Sequence, residues 1–417
     1  MPWTASKKYE DSHNESGKKV GEQIADEYKQ MLKLIHSNKQ LPELKNVTDY
    51  FKTLLCHRND DIVFDLGKEQ IYNLHFKNGV LDVRTGDFRR RQKTDYVVTW
   101  LKWEYNKNVE PQLIKEVENF FIKVQPDETQ RTFALTFYAY SLTGDCGMQI
   151  FKMNYGNTAS NGKSTELDIH EITFPIYTEK INRMSFCKDY QKKHKEFIGL
   201  IREPIRLVYI EELERKKLDA EELKDFVDAR KFPVEVLFGT KEAMALQCKL
   251  VFTSNKTLSV ESDEGILRRG VQQNYTSRFL DADHSDQGQP NVFVKEKNYS
   301  LKFEHDDYKN AYLQLLLRHY KKTFEVPDEN KNLFKESAES SDEFLNVFEA
   351  NLKKTGSDGD KVYQENMKLI FQTGGVNWKE ASGRLKDSMG LRYEKTWRDA
   401  DGRKGVWVGV RELEEDE

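Results

Sequence analysis

The run QIFKMNYGNTASNGKST, residues 149–165, decides how the middle of this chain folds. An apolar segment of strand type is followed by a loop of glycine and small polar residues, and then by a segment that can be helical. In loops of the form G-x-x-x-x-G-K-[ST], backbone N–H groups surround the phosphates of a nucleotide. Here five residues, rather than four, separate Gly156 from Gly162. The pattern predicts a Walker A loop that is one residue longer than the common form.

The polar side chains of this loop have expected tasks. The ammonium of Lys163 would neutralise charge on the β and γ phosphates of ATP, and the hydroxyl of Ser164 would bind Mg²⁺. The alternative is a glycine and asparagine turn with a surface lysine. The predicted nucleotide-binding residues are Gly156, Asn157, Thr158, Ala159, Ser160, Asn161, Gly162, Lys163, Ser164 and Thr165.

A second strand-type run, RLVYIEEL, has four apolar residues that end in Glu211 and Glu212. An acidic pair at the carboxyl end of a central strand is typical of a Walker B motif. The first carboxylate can hold the Mg²⁺ shell, and the second can orient the attacking water. Alone the pattern would be weak, because many strands end in two surface glutamates. Following the phosphate loop, it predicts the acidic half of an ATP site.

A third run, CKLVFTSN, ends in Asn255, and GILRRGVQQNYTSRF downstream contains Arg268 and Arg269. Asn255 can contact the γ phosphate or the attacking water from a neighbouring strand. An arginine that enters the site of the adjacent subunit would stabilise charge on the transferring phosphoryl group. The alternatives are a polar turn at a strand end and an Arg-Arg pair on a solvated surface.

Composition excludes several classes of protein. The 417 residues include 66 Lys and Arg against 70 Asp and Glu, a formal charge of -4, so the chain is no polycation and nucleic acid would need a local basic patch. The hydrophobic content of 37% excludes general disorder. The sequence contains neither a signal peptide nor an apolar stretch of membrane-spanning length, so we expect a soluble, intracellular protein. Four scattered cysteines predict reduced thiols and no structural metal.

The chain divides into three predicted parts. Residues 1–140, of which the first twenty or so are expected to be flexible, form a mixed α+β domain with a β-hairpin region around Asn78-Gly79 and Thr85-Gly86. Residues 141–325 alternate apolar runs with amphipathic segments, which predicts an α/β domain with a largely parallel sheet. Residues 326–417 begin with a polar linker, EVPDENKNLFKESAESS, and continue as helices at 362–372 and 378–389 followed by a hairpin. That order favours a winged-helix domain.

The spacing of NGKST, LVYIEEL, LVFTSN and ILRRGVQQNYTSRF resembles the superfamily 3 helicases, specifically the poxvirus-type helicase-primase ATPases of large DNA viruses and their phage and plasmid relatives. FKNGVLDVRTGDF also resembles the region that precedes the ATPase in that family. The likeness extends from about Phe51 to Leu280. It implies an AAA+-like P-loop NTPase core and a homo-hexameric ring, in which ATP hydrolysis at subunit boundaries moves DNA through a central channel.

By position, the resemblance assigns roles to the motif residues. Lys163 and Ser164 match the Walker A lysine and hydroxyl, Glu211 and Glu212 the Walker B acids, and Asn255 the sensor. Arg268 and Arg269 match the pair that supplies the arginine finger. The family also carries a hairpin that points into the channel, which implies Lys241, at the tip Gly239-Thr240-Lys241, as a DNA contact; a surface lysine is the alternative. The Gly-Asp element usual in that motif is replaced by DARKF.

Complete helicase-primases also carry an N-terminal primase domain. About fifty residues precede Phe51 here, and they contain no D-x-D pattern, so we expect a separate primase or polymerase to make primers. Between Trp378 and Glu412 there are nine Lys or Arg against six Asp or Glu. That excess favours docking of duplex DNA or of a partner, and a domain that only supports the ring is the alternative.

Three hypotheses follow. The leading one is an ATP-driven replicative DNA helicase at a viral or mobile-element fork. The second is a P-loop ATPase for DNA packaging or protein remodelling, which the same ATP-site residues would serve. The third is a ring scaffold with an impaired ATP site, which the long Walker A loop and the missing Gly-Asp element would favour.

Overall fold

The computed structural model describes residues 64–67, 69–187, 193–212, 218–229, 231–234, 242–260, 263–387, 389–398 and 404–413. The chain divides into two compact units, Met1–Gly67 and Lys68–Glu417. The elements given below all lie in the second unit. None of the described helices is both long enough and apolar enough to cross a membrane.

The second unit begins with a three-stranded antiparallel sheet. Its strands are β1 (Asn73–Phe76), β2 (Gly79–Asp82) and β3 (Phe88–Arg89), in the order β1-β2-β3. The predicted β-hairpin at Asn78-Gly79 is confirmed, because Phe76 pairs with Gly79 across a tight turn. Gly79 is required there, since a Cβ atom would lie 2.4 Å from the carbonyl oxygen of Arg89.

Two helices follow, α1 (Pro111–Val124) and α2 (Glu128–Tyr140). The aromatic-rich pattern from Asn119 to Tyr140 is helical in period, but the structure divides this segment at residues 125–127. Pro126 lacks the N–H that a continuous helix would need there, and the side chain of Asp127 accepts from the backbone N–H of Gln130 to begin α2.

The centre is a five-stranded parallel sheet with helical connections, as predicted. Its elements are β4 (Phe151–Tyr155), α3 (Lys163–Thr173), β5 (Thr178–Lys180), α4 (Lys193–Arg202), β6 (Leu207–Glu211), α5 (Ala220–Val227), β9 (Lys249–Ser254), α6 (Glu264–Arg269) and β10 (Gly270–Asn274). The strand order is β10-β4-β9-β6-β5, and every neighbouring pair is parallel. Strands β4, β6 and β9 are almost wholly buried, because helices cover both faces.

A separate antiparallel hairpin, β7 (Lys231–Val234) with β8 (Glu242–Ala245), lies between α5 and β9 in the chain. The predicted tip, with Lys241, falls between these two strands and lies outside the described residues.

The chain then returns to the N-terminal helices. After the short parallel pair β11 (Arg278–Leu280) and β12 (Val292–Val294) comes α7 (Asp306–His319), which packs against α1. The rings of Phe121 and Tyr312 stack there with centroids 5.6 Å apart. Residues from β1 to α7 thus share one hydrophobic core.

The predicted linker after residue 325 is wrong in part, because Asp328–Ser340 forms a helix, α8. Asn330, Phe334 and Ala338 recur every four residues and form its buried face. Phe334 packs on β10 so closely that a Cβ atom at Gly270 would lie 2.0 Å from its ring.

The C-terminal part has its own hydrophobic core. Its elements are α9 (Glu343–Asn351), β13 (Leu352–Lys354), β14 (Lys361–Tyr363), α10 (Gln364–Thr373), α11 (Trp378–Asp387), β15 (Arg392–Arg398), β16 (Lys404–Val408) and β17 (Val410–Glu412). The two predicted helices and the hairpin β15–β16 are present. Strand β14 pairs with β16, so the sheet order is β14-β16-β15.

Arg206 joins the amino end of the parallel sheet to the segment that leads into β1 and to the end of α2. Its guanidinium donates to the carbonyl oxygens of Gln70 (2.8 Å), Asn73 (2.7 Å) and Leu142, and lies 4.2 Å from the ring centroid of Tyr177. The residue is 2% exposed, and burial lowers its pKa to about 10. Carbonyl oxygens, rather than a carboxylate, therefore satisfy this buried cation.

We predict that Arg206→Leu lowers the free energy of unfolding by about 3 kcal/mol, because it removes these hydrogen bonds and leaves buried carbonyl oxygens without a donor. Urea denaturation followed by circular dichroism measures the change. Arg84→Leu is the control. Arg84 is exposed, its ion pairs among the described residues are with Asp82 and Glu69, and its guanidinium lies over the ring of Tyr72, so its loss should cost at most about 1 kcal/mol. Equal losses for both variants would contradict the role of Arg206.

Candidate functional site

The three predicted motifs meet at one edge of the parallel sheet. The Walker A loop follows β4, Glu211 ends β6, and Asn255 follows β9. The strand register aligns them, because Tyr155 pairs with Ser254 and Glu211 pairs with Thr253. Parallel strands bring their carboxyl ends to the same edge of a sheet, where ligands of α/β proteins bind. Residues far apart in the sequence thus form a single site.

The glycines of the loop are required by close packing. A Cβ atom at Gly156 would lie 2.1 Å from Nδ2 of Asn161 and 2.8 Å from Nζ of Lys163. Gly162 has φ +90°, and a Cβ atom there would lie 2.7 Å from Cγ2 of Val124. Ser160 has φ +57°, and its carbonyl oxygen accepts a hydrogen bond from the N–H of Phe279. Gly156 therefore lies directly beside the lysine, despite the added length.

The Lys163 ammonium is the most enclosed charge of the site. It donates to Oδ1 of Asn255 at 2.8 Å and to the carbonyl oxygen of Gly156 at 3.3 Å. The residue is 5% exposed, and burial lowers its pKa to about 8. The lysine of the first motif and the asparagine of the third are thus in direct contact.

The acidic side of the site contains a lysine that the motifs did not predict. Lys180, at the end of β5, donates to a carboxylate oxygen of Glu211, and this hydrogen bond raises the pKa of Lys180. Asp168 on α3 is half-buried, and burial together with the charges of Glu211 and Glu171 raises its pKa. The only sequence signal for Lys180 is its place at the end of a short strand, TEK, which alone is too common to be diagnostic.

The remaining motif residues lie at the surface of the same edge. Glu212 is exposed with φ +52°, and its N–H donates to the carbonyl oxygen of Thr253. A left-handed backbone in a glutamate is strained, and such strain is concentrated at functional sites. Ser164 is exposed in the first turn of α3, and Asn157 and Ala159 are exposed in the loop.

The donor set fits a nucleotide and Mg²⁺. Because Gly156 and Gly162 have no side chains, phosphates could approach the loop backbone closely. Lys163 supplies positive charge. The hydroxyl of Ser164 and the carboxylate of Glu211 are oxygen ligands, which Mg²⁺ prefers. Glu211 would have to exchange part of its contact with Lys180 for the metal shell.

A buried polar cluster under α3 was also missed by the motifs. Glu166, which is fully buried, accepts from the hydroxyls of Tyr275 (2.6 Å) and Tyr138 (3.4 Å), and burial raises its pKa. Lys152 on β4 lies 5.0 Å from the ring centroid of Tyr138, and burial lowers its pKa to about 8. The cluster fixes the first turn of α3 against α2 and the end of β10.

The two candidate finger arginines differ sharply. Arg269 is 9% exposed and makes two hydrogen bonds of 2.7 Å with the carboxylate of Asp228 in the same chain. Arg268 is exposed and contacts only Oε1 of Gln149, at 3.3 Å, among the described residues. Arg269 therefore has a structural role within this chain, whereas the side chain of Arg268 is accessible at the surface.

A parallel five-stranded sheet with a glycine-rich loop between β4, one of its inner strands, and the next helix defines a P-loop-like α/β core. Residues 3–126 match the family described as D5 N terminal like. The chain is also 24% identical over 305 residues to a protein of Acanthamoeba polyphaga mimivirus named "Putative helicase L207/L206". That match covers 69% of this chain and 31% of the viral protein, so the chain spans about a third of the length of that relative.

Two solved apo structures of the NrS-1 C-terminal region, residues 305–718, align with 82% and 83% of this chain. The two alignments cover 99% and 100% of the solved chains, at 12% and 11% sequence identity, and each has a TM-score of 0.41. Together, the matched N-terminal family and the viral relative confirm the resemblance to the viral primase-helicase family.

We predict that Gly162→Ala lowers the free energy of unfolding by about 1–3 kcal/mol, because the new methyl group would clash with Val124 in a left-handed backbone. Gly199→Ala is the matched control. Gly199 lies in α4, and a Cβ atom added there would have no atom within 4 Å, so alanine should stabilise the protein by about 0.5–1 kcal/mol. Urea denaturation of both variants measures the difference; a neutral Gly162→Ala would contradict the loop geometry.

Proposed function

We propose that this protein is an ATP-dependent DNA helicase of superfamily 3, which hydrolyses ATP at the subunit boundaries of a hexameric ring. The observation that carries the proposal is the contact between Lys163 and Asn255 at 2.8 Å, at the edge where Glu211 ends β6. A phosphate-binding lysine, a polar sensor and an acidic strand end serve phosphoryl transfer when they converge. The relationship to viral primase-helicases supports DNA as the substrate.

Each residue has a defined task in this proposal. Lys163 binds the β and γ phosphates, and Asn255, already bonded to Lys163, senses whether the γ phosphate is present. Ser164 and Glu211 would hold Mg²⁺, and the metal would supply positive charge beside the transferring phosphoryl group. Glu212 takes the proton of the attacking water. Lys180 positions the carboxylate of Glu211 through a hydrogen bond.

Arg268 acts on the neighbouring subunit. It precedes β10, whose first residue, Gly270, pairs with Phe151 at the start of β4. The Walker A loop follows the other end of β4, about 16 Å away at roughly 3.3 Å per residue. Arg268 therefore cannot reach the ATP site of its own chain. In a hexameric ring its exposed side chain would enter the ATP site of the adjacent subunit.

The C-terminal domain is proposed to be a winged helix that docks duplex DNA or a partner. The element order α9, β13 and β14, α10, α11, β15 and β16, with β14 beside β16, supports that topology. On α11, Arg384 is buried in an ion pair of 2.7 Å with Asp342, which leaves Lys379 and Lys386 exposed for contact. Lys241 remains the proposed contact in the ring channel.

We expect ATP hydrolysis by the purified protein to rise when single-stranded DNA is added. Lys163→Ala should lower turnover at least about 100-fold, because it removes the phosphate-binding ammonium. Lys331→Ala, which changes an exposed lysine that pairs with Asp328 on α8, is the control and should leave turnover unchanged. Turnover indifferent to DNA would favour a packaging or remodelling ATPase, and none in an assembled ring would favour a scaffold.

Arg268→Ala should lower turnover by about 10³-fold without weakening ATP binding. When Arg268→Ala and Lys163→Ala subunits are mixed, activity should partly return, because some boundaries then pair an intact Lys163 with an intact Arg268. Arg269→Ala should instead lower the midpoint of thermal unfolding, since it removes two hydrogen bonds to the carboxylate of Asp228. Mixed rings without recovered activity would rule out a finger that acts between subunits.

The pKa of Lys163 near 8 predicts how ATP affinity depends on pH. Phosphate binding needs the ammonium form, so affinity is constant below the pKa and falls as pH rises through it. We expect the Kd for ATP to be about tenfold higher at pH 9 than at pH 7. Lys163→Arg stays protonated at both values and should lose this step. Isothermal titration calorimetry measures both proteins.

A further inference from the structure

A basic surface lies on the N-terminal sheet, away from the ATP site. Beside β1, the N–H of Leu101 donates to the carbonyl oxygen of His75 at 2.8 Å, so the segment 100–103 runs along this edge. Leu101 and Trp103 are buried in the core. Because side chains alternate along an extended segment, Trp100 and Lys102 lie on the opposite face.

Two cations share the indole ring of Trp100. The guanidinium carbon of Arg91 lies 4.7 Å from the ring centroid, and Nζ of Lys102 lies 4.5 Å from it. Arg90 is adjacent in the chain and Lys93 follows shortly after; both are exposed. We call Arg90, Arg91, Lys93, Trp100 and Lys102 the Trp100 surface.

The positive charge of this surface is not balanced. Arg89, which precedes Arg90 in the chain, pairs with Asp95. Within the described part of the chain, the four cations of the Trp100 surface form no ion pair with an acid. The guanidinium of Arg91 donates to the carbonyl oxygen of Phe76, and its buried Nε atom has no acceptor among the residues that the structure describes.

Like charges that gather without a counterion repel one another, and an added anion would relieve that repulsion. The chain as a whole carries a formal charge of -4, so the accumulation is local. A single phosphate could neutralise only part of it. An extended polyanion could contact several of these cations at once, and a nucleobase could stack near the indole.

We propose that the Trp100 surface binds single-stranded nucleic acid through its phosphodiester backbone, as a second contact outside the ATPase core. The choice of DNA as the strand rests on the proposed function, whereas strand binding by this surface requires no bound ATP. The surface lies within residues 3–126, the segment that matches the D5 N terminal like family. It would hold one strand while the ATPase core acts on DNA.

The test is the affinity of the full chain for a fluorescein-labelled 20-nucleotide DNA strand of mixed sequence, measured by anisotropy without ATP at several salt concentrations. The variant is Lys93→Ala with Lys102→Ala. The control is Lys331→Ala with Lys335→Ala, which removes the same charge from exposed lysines that pair with Asp328 and Glu339. Circular dichroism verifies that both variants are folded.

We expect affinity to fall roughly tenfold at 0.1 M salt in the Lys93 and Lys102 variant, and the slope of log K against log salt to become shallower by about 1.4, because about 0.7 is lost for each phosphate contact on a single strand. The control should bind like the unchanged protein. Equal losses in both variants, or no loss in either, would overturn the proposal. A protein that binds the duplex of the same sequence equally well would also overturn it.

A second variant tests the indole ring of Trp100. Trp100→Leu should weaken binding to the base-bearing strand several-fold and leave binding to an abasic strand of the same length unchanged. Equal weakening for both strands would contradict stacking on Trp100. ATP hydrolysis without DNA is measured on each variant. An active ATPase whose strand affinity is unchanged in the Lys93 and Lys102 variant would refute this surface alone, whereas strand binding without hydrolysis would refute the proposed function alone.

Discussion

The burial of the Lys163 ammonium at the edge of the parallel sheet is the constraint on which the candidate site depends. A buried cation needs acceptors, and Asn255 and the carbonyl oxygen of Gly156 provide them at 2.8 and 3.3 Å. This contact fixes the loop after β4 to the turn after β9. It also requires Gly156 to remain glycine, because a side chain there would fill the space of the ammonium. One buried charge thus accounts for the glycine at residue 156 and for the contact between the two loops.

The rest of the core supports this arrangement with further buried cations and acids. Glu166 holds the first turn of α3 through two tyrosine hydroxyls, and Arg206 fixes the opposite end of the sheet through backbone carbonyl oxygens. Lys249 acts similarly, since its buried ammonium donates to the carbonyl oxygen of Thr143. Because such groups are costly to leave unpaired, they tie the N-terminal segments and the sheet into one packed unit.

The sequence predicted those parts of the site that depend on local patterns. The Walker A loop, the acidic strand end and Asn255 each follow an apolar run, and the parallel sheet brings such strand ends together. The sequence could not predict the contact of Lys180 with Glu211 or the tyrosines around Glu166, because those contacts join elements far apart in the chain. Nor could residue type separate Arg268 from Arg269; only the place of Asp228 does so. The helix Asp328–Ser340 was mistaken for a linker because its polar composition outweighed the spacing of Phe334 and Ala338.

The most direct test of the helicase assignment is strand separation of a forked DNA duplex by the purified full chain. We predict that the labelled strand is released only when ATP is present, and that Glu212→Gln abolishes release while ATP still binds, because the water is no longer activated. Hydrolysis of ATP without strand release, or release that persists in Glu212→Gln, would contradict the account.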